Sequence, residues 1–154
     1  MGSSDSVAAM SATPEPTPAG PVSYGPPPPD ALARTGAVAI ALGRIVIGIG
    51  ALAVTRPALK LLGFDDPHPA TVVLARMAGA RDVALGLHAL TVIDDTDKLR
   101  EASVIGAAVD AGDAFAFGAA LVGREGIDQM ALKNLPIAGS AVLAGLFVAS
   151  RLRR

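Results

Sequence analysis

The sequence predicts an all-α protein, a four-helix transmembrane bundle behind a disordered N-terminal tail. It is 154 residues long, enough for one domain, and 51% hydrophobic with a mean hydropathy of +0.50, above the usual balance of a water-soluble chain. The apolar residues are gathered into long runs, whereas most of the 14 acidic and 13 basic residues sit in the connections between runs. The outward positions of every run are Ala, Val, Leu and Ile, where a soluble bundle would show a polar face at the 3.6-residue period.

Residues 1–33 form the expected tail. Met1 to Pro29 holds eight of the twelve prolines, including Pro26 to Pro29, mixed with Ser, Thr, Gly and Ala. Such a stretch buries too little apolar area to offset its ordering entropy, so it reads as disordered with polyproline-II character. No basic and apolar leader precedes residue 31, so no signal peptide is expected and the first apolar helix serves as an uncleaved anchor.

Residues 34–154 form the membrane domain, with spans at about 37–55, 70–93, 101–123 and 134–150. The first is AVAIALGRIVIGIGALAVT, and Pro57 is read as its stop. At about 1.5 Å per residue such a run nearly crosses a hydrocarbon core of about 30 Å. The second follows Pro67, His68 and Pro69, a helix-start pattern, and Asp94, Asp95 and Asp97 end it. Two apolar stretches flanking Asp110 to Asp113 make up the third. The fourth begins near Asn134 or Leu135, with Pro136 in its first turn, a start at Gln129 lengthening it at the cost of including Lys133, and it ends before Arg151, Arg153 and Arg154.

Basic residues flanking the spans divide six against four. Arg34, Lys98, Arg100, Arg151, Arg153 and Arg154 lie on one side, Arg56, Lys60, Arg124 and Lys133 on the other. The positive-inside rule then puts both termini in the cytoplasm and the protein in the cell membrane.

Charge inside the spans marks the candidate site. The second span contains Arg76, Arg81 and Asp82 in LARMAGARDVALG, the first contains Arg44, and the third contains Asp110 and Asp113. A lone charge at a helix centre costs about 2.5 to 3.5 kcal/mol on insertion, against a gain of about 0.3 to 0.6 for each large aliphatic residue. Six unpaired charges are therefore untenable, and the inventory of three cations and three anions allows mutual neutralisation. Asp110 and Asp113 are three apart, about 60° around the helix, on the face shared with Gly106 and Phe117, and a guanidinium fork from Arg44 or Arg81 can bridge both. Arg76 and Arg81, about 140° apart, address different neighbours. Asp82 stands about 100° from Arg81, so it is expected to take Arg44 instead. Close helix approach is expected at Gly43, Gly48 and Gly50, at Gly79 and Gly86, and at Gly139 and Gly145. The uncharged fourth span is an apolar lid or a subunit contact.

Composition excludes much chemistry. There is no cysteine, hence no disulfide, thiolate metal site or redox dithiol, and a net charge of −1 without a basic patch argues against nucleic acid. His68 and His88 have no metal-ligand spacing to the aspartates, and Ser103, Ser140 and Thr91 have no base at helical spacing, so no metal, cofactor or catalytic residue is expected. The expected partners are the lipid bilayer and a second copy or a membrane-complex subunit.

LARMAGARDVALGLHAL and AAVDAGDAFAF resemble the core of a family of small uncharacterised four-span membrane proteins frequent in actinobacteria, with an ARxxGARD-like second span (Ala75, Arg76, Gly79, Ala80, Arg81, Asp82) and a DxxD-like third span (Asp110, Asp113). The likeness covers residues 37–150 and implies a membrane bundle without an assigned activity. RIVIGIGALAV, residues 44–54, is more distantly similar to DoxX-like four-span proteins, which implies an accessory of a quinone or thiol redox complex. On the residues alone, the function is that of a structural or complex subunit with a buried Arg/Asp layer. A small proton-coupled carrier is the alternative.

Overall fold

The computed structural model describes residues 29–152, without the side chains of Pro29 and Asp30; the proline-rich tail expected over residues 1–33 lies, up to residue 28, outside the described residues. Five helices and no strand occur among the described residues: α1 (Pro29–Ala53), α2 (Thr55–Leu61), α3 (Pro69–Thr91), α4 (Thr96–Gly123) and α5 (Asp128–Arg151). The helix therefore begins inside the stretch expected to be tail, at Pro29. Proline suits a first helical turn because its missing N–H is unneeded there.

Among the described residues three helices are long and apolar enough to cross a membrane: Ala31–Ala53 with mean hydropathy 2.0, Thr96–Gly123 with 1.5 and Asp128–Arg151 with 1.5. The expectation was four. The exception is α3, whose 23 residues carry Arg76, Arg81 and Asp82 together. Large apolar residues nevertheless stand among its exposed positions, with Val73, Leu74, Met77 and Leu87 open to the surroundings beside Arg76 and His88.

Helix ends differ from the sequence expectation for identifiable reasons. Pro57 does not stop the chain but stands in the first turn of α2, a short helix that the sequence reading missed. Having no N–H, Pro57 cannot continue the α1 ladder to the Ala53 carbonyl, so the chain breaks at Val54 and restarts. The start of α4 is at Thr96 because the Asp95 carboxylate accepts the Lys98 N–H at 3.0 Å and caps the helix. His68 does the same for α3, its Nδ1 accepting the Ala70 N–H at 3.2 Å. The start of α5 is at Asp128, which places Pro136 in the helix interior instead of the first turn. Buried Asn134 accounts for the extra turns: its amide donates to the Met130 carbonyl at 2.8 Å and to the Leu62 carbonyl at the end of α2 at 3.1 Å.

Two antiparallel pairs make up the bundle, α1 with α3 and α4 with α5, joined mainly by α1 against α5. Small residues set the first pair. A Cβ on Gly48 would lie 2.5 Å from the Gly79 carbonyl oxygen, and one on Gly86 2.6 Å from the Ala41 carbonyl oxygen, so only glycine lets these backbones approach. Gly145 meets Ala107 across the second pair, whereas Gly43, Gly50 and Gly139, expected at contacts, face open space. An apolar cluster of Ala33, Ala37, Leu99, Val148 and Leu152 seals one end of the bundle. Most other buried apolar residues are alanines, while Val46, Ile47, Phe115, Val122 and Leu143 point outward. Large side chains outside and small ones inside invert the soluble pattern and suit contact with a lipid bilayer.

Candidate functional site: a layer of arginine and aspartate

Halfway along the helices the structure gathers five charged residues. Arg44 is the sixteenth of the 25 residues of α1, Asp82 the fourteenth of the 23 of α3, and Asp110 the fifteenth of the 28 of α4. Helical turns place Arg81 beside Asp82, and Asp113 one turn beyond Asp110.

Arg44 is the hub. Its Nη1 donates to Asp82 Oδ1 at 3.1 Å, and its Nη2 donates to Asp110 Oδ2 and to the Gly106 carbonyl, the latter at 3.1 Å. Gly106 belongs to the site for a spatial reason: a Cβ there would lie 3.3 Å from Arg44 Nη2. One guanidinium thus touches carboxylates of two helices. The side chains of Arg44, Asp82 and Asp110 are only 12%, 17% and 10% exposed.

Arg81 forms the second group. Its Nη1 and Nη2 donate to the two carboxylate oxygens of Asp113 at 3.1 and 2.7 Å, a bidentate fork. At 36% and 39% exposed, this pair lies nearer the outside, where α3 and α4 pack only lightly. The Arg81 Nε is buried and has no hydrogen-bond partner among the described residues.

Three expectations are corrected. Asp110 and Asp113 do not share one guanidinium, since each takes its own arginine, the 60° between them being enough to aim them at α1 and α3 separately. Asp82 does contact Arg81, at 3.5 Å between Oδ1 and Nη2, because the long arginine side chain bends back toward its neighbour. Arg76 takes no carboxylate among the described residues. It is exposed, and its Nε donates to the hydroxyl of buried Thr55 at 3.1 Å, which in turn donates to the Ala51 carbonyl at 2.6 Å. Its side chain runs toward the α1–α2 join, as a long cation does when it reaches for the polar end of an apolar helix.

A cavity of about 30 Å³ adjoins the hub. Its walls are mainly the small residues Ala37, Ala41, Ala107, Ala141 and Gly145, with Arg44 and Asp110 supplying the charge. Sequence reading also missed Arg34, which it took as a flanking charge. Arg34 donates to the Ile93 carbonyl and, at 2.6 Å, to the Thr96 hydroxyl, so α1 is clasped to the α3–α4 turn. His88 is exposed on α3 and stands outside the layer. Among the described residues no group of three or more His, Cys, Asp or Glu side chains is arranged to hold a metal ion.

The geometry does two things. It sets opposite charges of α1, α3 and α4 against one another with one carboxylate in excess, and it would strand a carboxylate if α4 were displaced. In comparisons with known proteins the chain matches no family model, no curated protein and no solved structure.

Proposed function

We propose that this is a small integral membrane protein of four crossing helices, α1, α3, α4 and α5, acting as a structural or complex subunit whose Arg/Asp layer locks the helices in register. The observation that carries this reading is Arg44 of α1 touching Asp82 of α3 and Asp110 of α4 at mid-helix. Here the buried ionic groups specify packing partners, because a mismatched neighbour leaves a charge unpaired in an apolar medium. On this reading α3 crosses despite its charges. Asp82 and Arg81 meet partners on α1 and α4, Arg76 donates to the buried Thr55 hydroxyl at the start of α2, and apolar residues meet the lipid.

The cell membrane is the location and both termini are cytoplasmic, following the six-to-four division of flanking basic residues. The likeness of the α3 and α4 segments to the ARxxGARD and DxxD pattern of small four-span proteins accords with it. A second copy or a larger membrane complex is the partner, and purification in mild detergent followed by mass spectrometry of co-purifying chains identifies which. Arg44→Gln tests the layer itself. Removing one partner of a buried ionic group costs about 3 to 5 kcal/mol, so the variant is expected to be nearly lost from the membrane fraction, and wild-type abundance overturns the reading. A second reading, a small proton-coupled carrier, is favoured by one feature, the surplus of carboxylates over guanidiniums in the layer.

A further inference from the structure

Arg76 lies outside the layer, so the charges that remain do not balance. Two guanidiniums, Arg44 and Arg81, face three carboxylates, Asp82, Asp110 and Asp113. Arg81 is committed to Asp113 by both Nη groups. Arg44 therefore serves two carboxylates, with one hydrogen bond to each from a different nitrogen, and Arg81 adds only a 3.5 Å approach to Asp82. The single positive charge of Arg44 cancels one of them.

Among the described residues the other elements show no further cation in contact with the layer. α3 contributes Arg81, which approaches Asp82 at 3.5 Å but is forked onto Asp113. α4 contributes Asp113, of like sign, and α5 brings only uncharged Ala141 and Gly145 to the cavity wall beside Asp110. A net negative charge at this depth is costly in an apolar medium, and two carboxylates confined around one cation share a proton in preference to ionising together.

We propose that the Asp82–Arg44–Asp110 group is a proton-binding site, with one proton taken up by its carboxylates beside the 30 Å³ cavity. This deepens the membrane reading given above and rests on it. The proton neutralises the layer, and its release leaves one unmatched carboxylate between α3 and α4, so occupancy couples pH to the fit of the two helix pairs. The site binds and releases a proton only, with no bond made or broken elsewhere.

The test is infrared spectroscopy of the full chain in phosphatidylcholine vesicles collected by flotation, reading the carbonyl stretch of neutral carboxylic acid against pH. Wild type is expected to show one neutral carboxyl per chain at pH 7 that disappears on alkalinisation. Asp82→Asn and Asp110→Asn each supply a neutral stand-in for the protonated acid, so the signal falls to none while the protein still floats. Asp97→Asn, outside the layer, keeps it. Floating wild-type protein without a neutral carboxyl overturns the proposal, as does a signal that survives both layer substitutions. The wild-type titration decides the matter alone if neither variant folds. Protein that fails to float overturns the membrane reading instead, so the two failures are told apart.

Discussion

The guanidinium of Arg81 closes on the carboxylate of Asp113 at 3.1 and 2.7 Å, across two helices that otherwise pack little against each other. The contact between α3 and α4 is thus ionic more than steric, and it depends on a planar fork that meets both carboxylate oxygens.

Arg81→Lys keeps the charge and loses that fork. A lysine ammonium cannot present two parallel donors in fixed geometry. With the pair about a third exposed, a loss of about 1 to 3 kcal/mol is expected, the range of a charge-assisted hydrogen bond. Thermal unfolding of the purified variant in detergent checks it, and an unchanged midpoint would count against an ionic α3–α4 contact.

Gly48 and Gly50 are two residues apart on α1 and should answer oppositely to the same substitution. A Cβ on Gly48 runs into the Gly79 carbonyl at 2.5 Å and the Val83 side chain at 2.7 Å, whereas one on Gly50 meets nothing within 4 Å. Overpacking costs about 1 to 3 kcal/mol, so Gly48→Ala lowers the melting point and the yield. Gly50→Ala leaves both unchanged or slightly raised, since alanine is the better helix former by about 1 kcal/mol. Equal effects of the two would contradict the α1–α3 crossing.

Asp95 gives the structure an acid-sensitive joint at the start of α4. Its hydrogen bond from the Lys98 backbone N–H, followed by the Lys98 side chain, holds its carboxyl below the ordinary carboxylate range. Because the folded value lies below the unfolded one, the stabilisation is complete above the unfolded value and is lost as pH falls through the folded value. Asp95→Asn keeps a capping oxygen at every pH. The melting point of wild type should therefore fall more steeply on acidification than that of Asp95→Asn, and parallel curves would refute the cap.

The charged layer could be anticipated because its logic is local to each helix. Three-residue spacing places Asp110 and Asp113 on one side, and the expense of charge in an apolar run demands partners for Arg44, Arg81 and Asp82. The Arg44–Asp82 pairing was legible from the 100° offset of Asp82 from Arg81, whereas the partners of Asp110, Asp113 and Arg76 were not. Asp110 and Asp113 part toward different arginines because helix placement, absent from a linear pattern, decides which fork is within reach. Arg76 counted as a layer member by composition, yet Thr55 lies closer once the chain turns at Val54 into α2. That turn was hidden because Pro57 both ends one helix and suits the first turn of the next. Asn134 hid the true start of α5 in the same way, a polar residue that looks like a boundary but bonds inside the fold to Leu62 and Met130. Three helices announce themselves by hydropathy, whereas α3 does so only through the partners that receive its charges.

Whether α3 crosses the bilayer is the decisive question, and the absence of cysteine makes it accessible, because a single introduced thiol is the only one present. Ala70→Cys and Thr91→Cys mark the exposed ends of α3, and each is treated in intact cells with a membrane-impermeant thiol reagent before and after permeabilisation. The account predicts opposite behaviour: Cys at 70 is labelled from outside, and Cys at 91 only after permeabilisation. Labelling of both positions from the same side would contradict it.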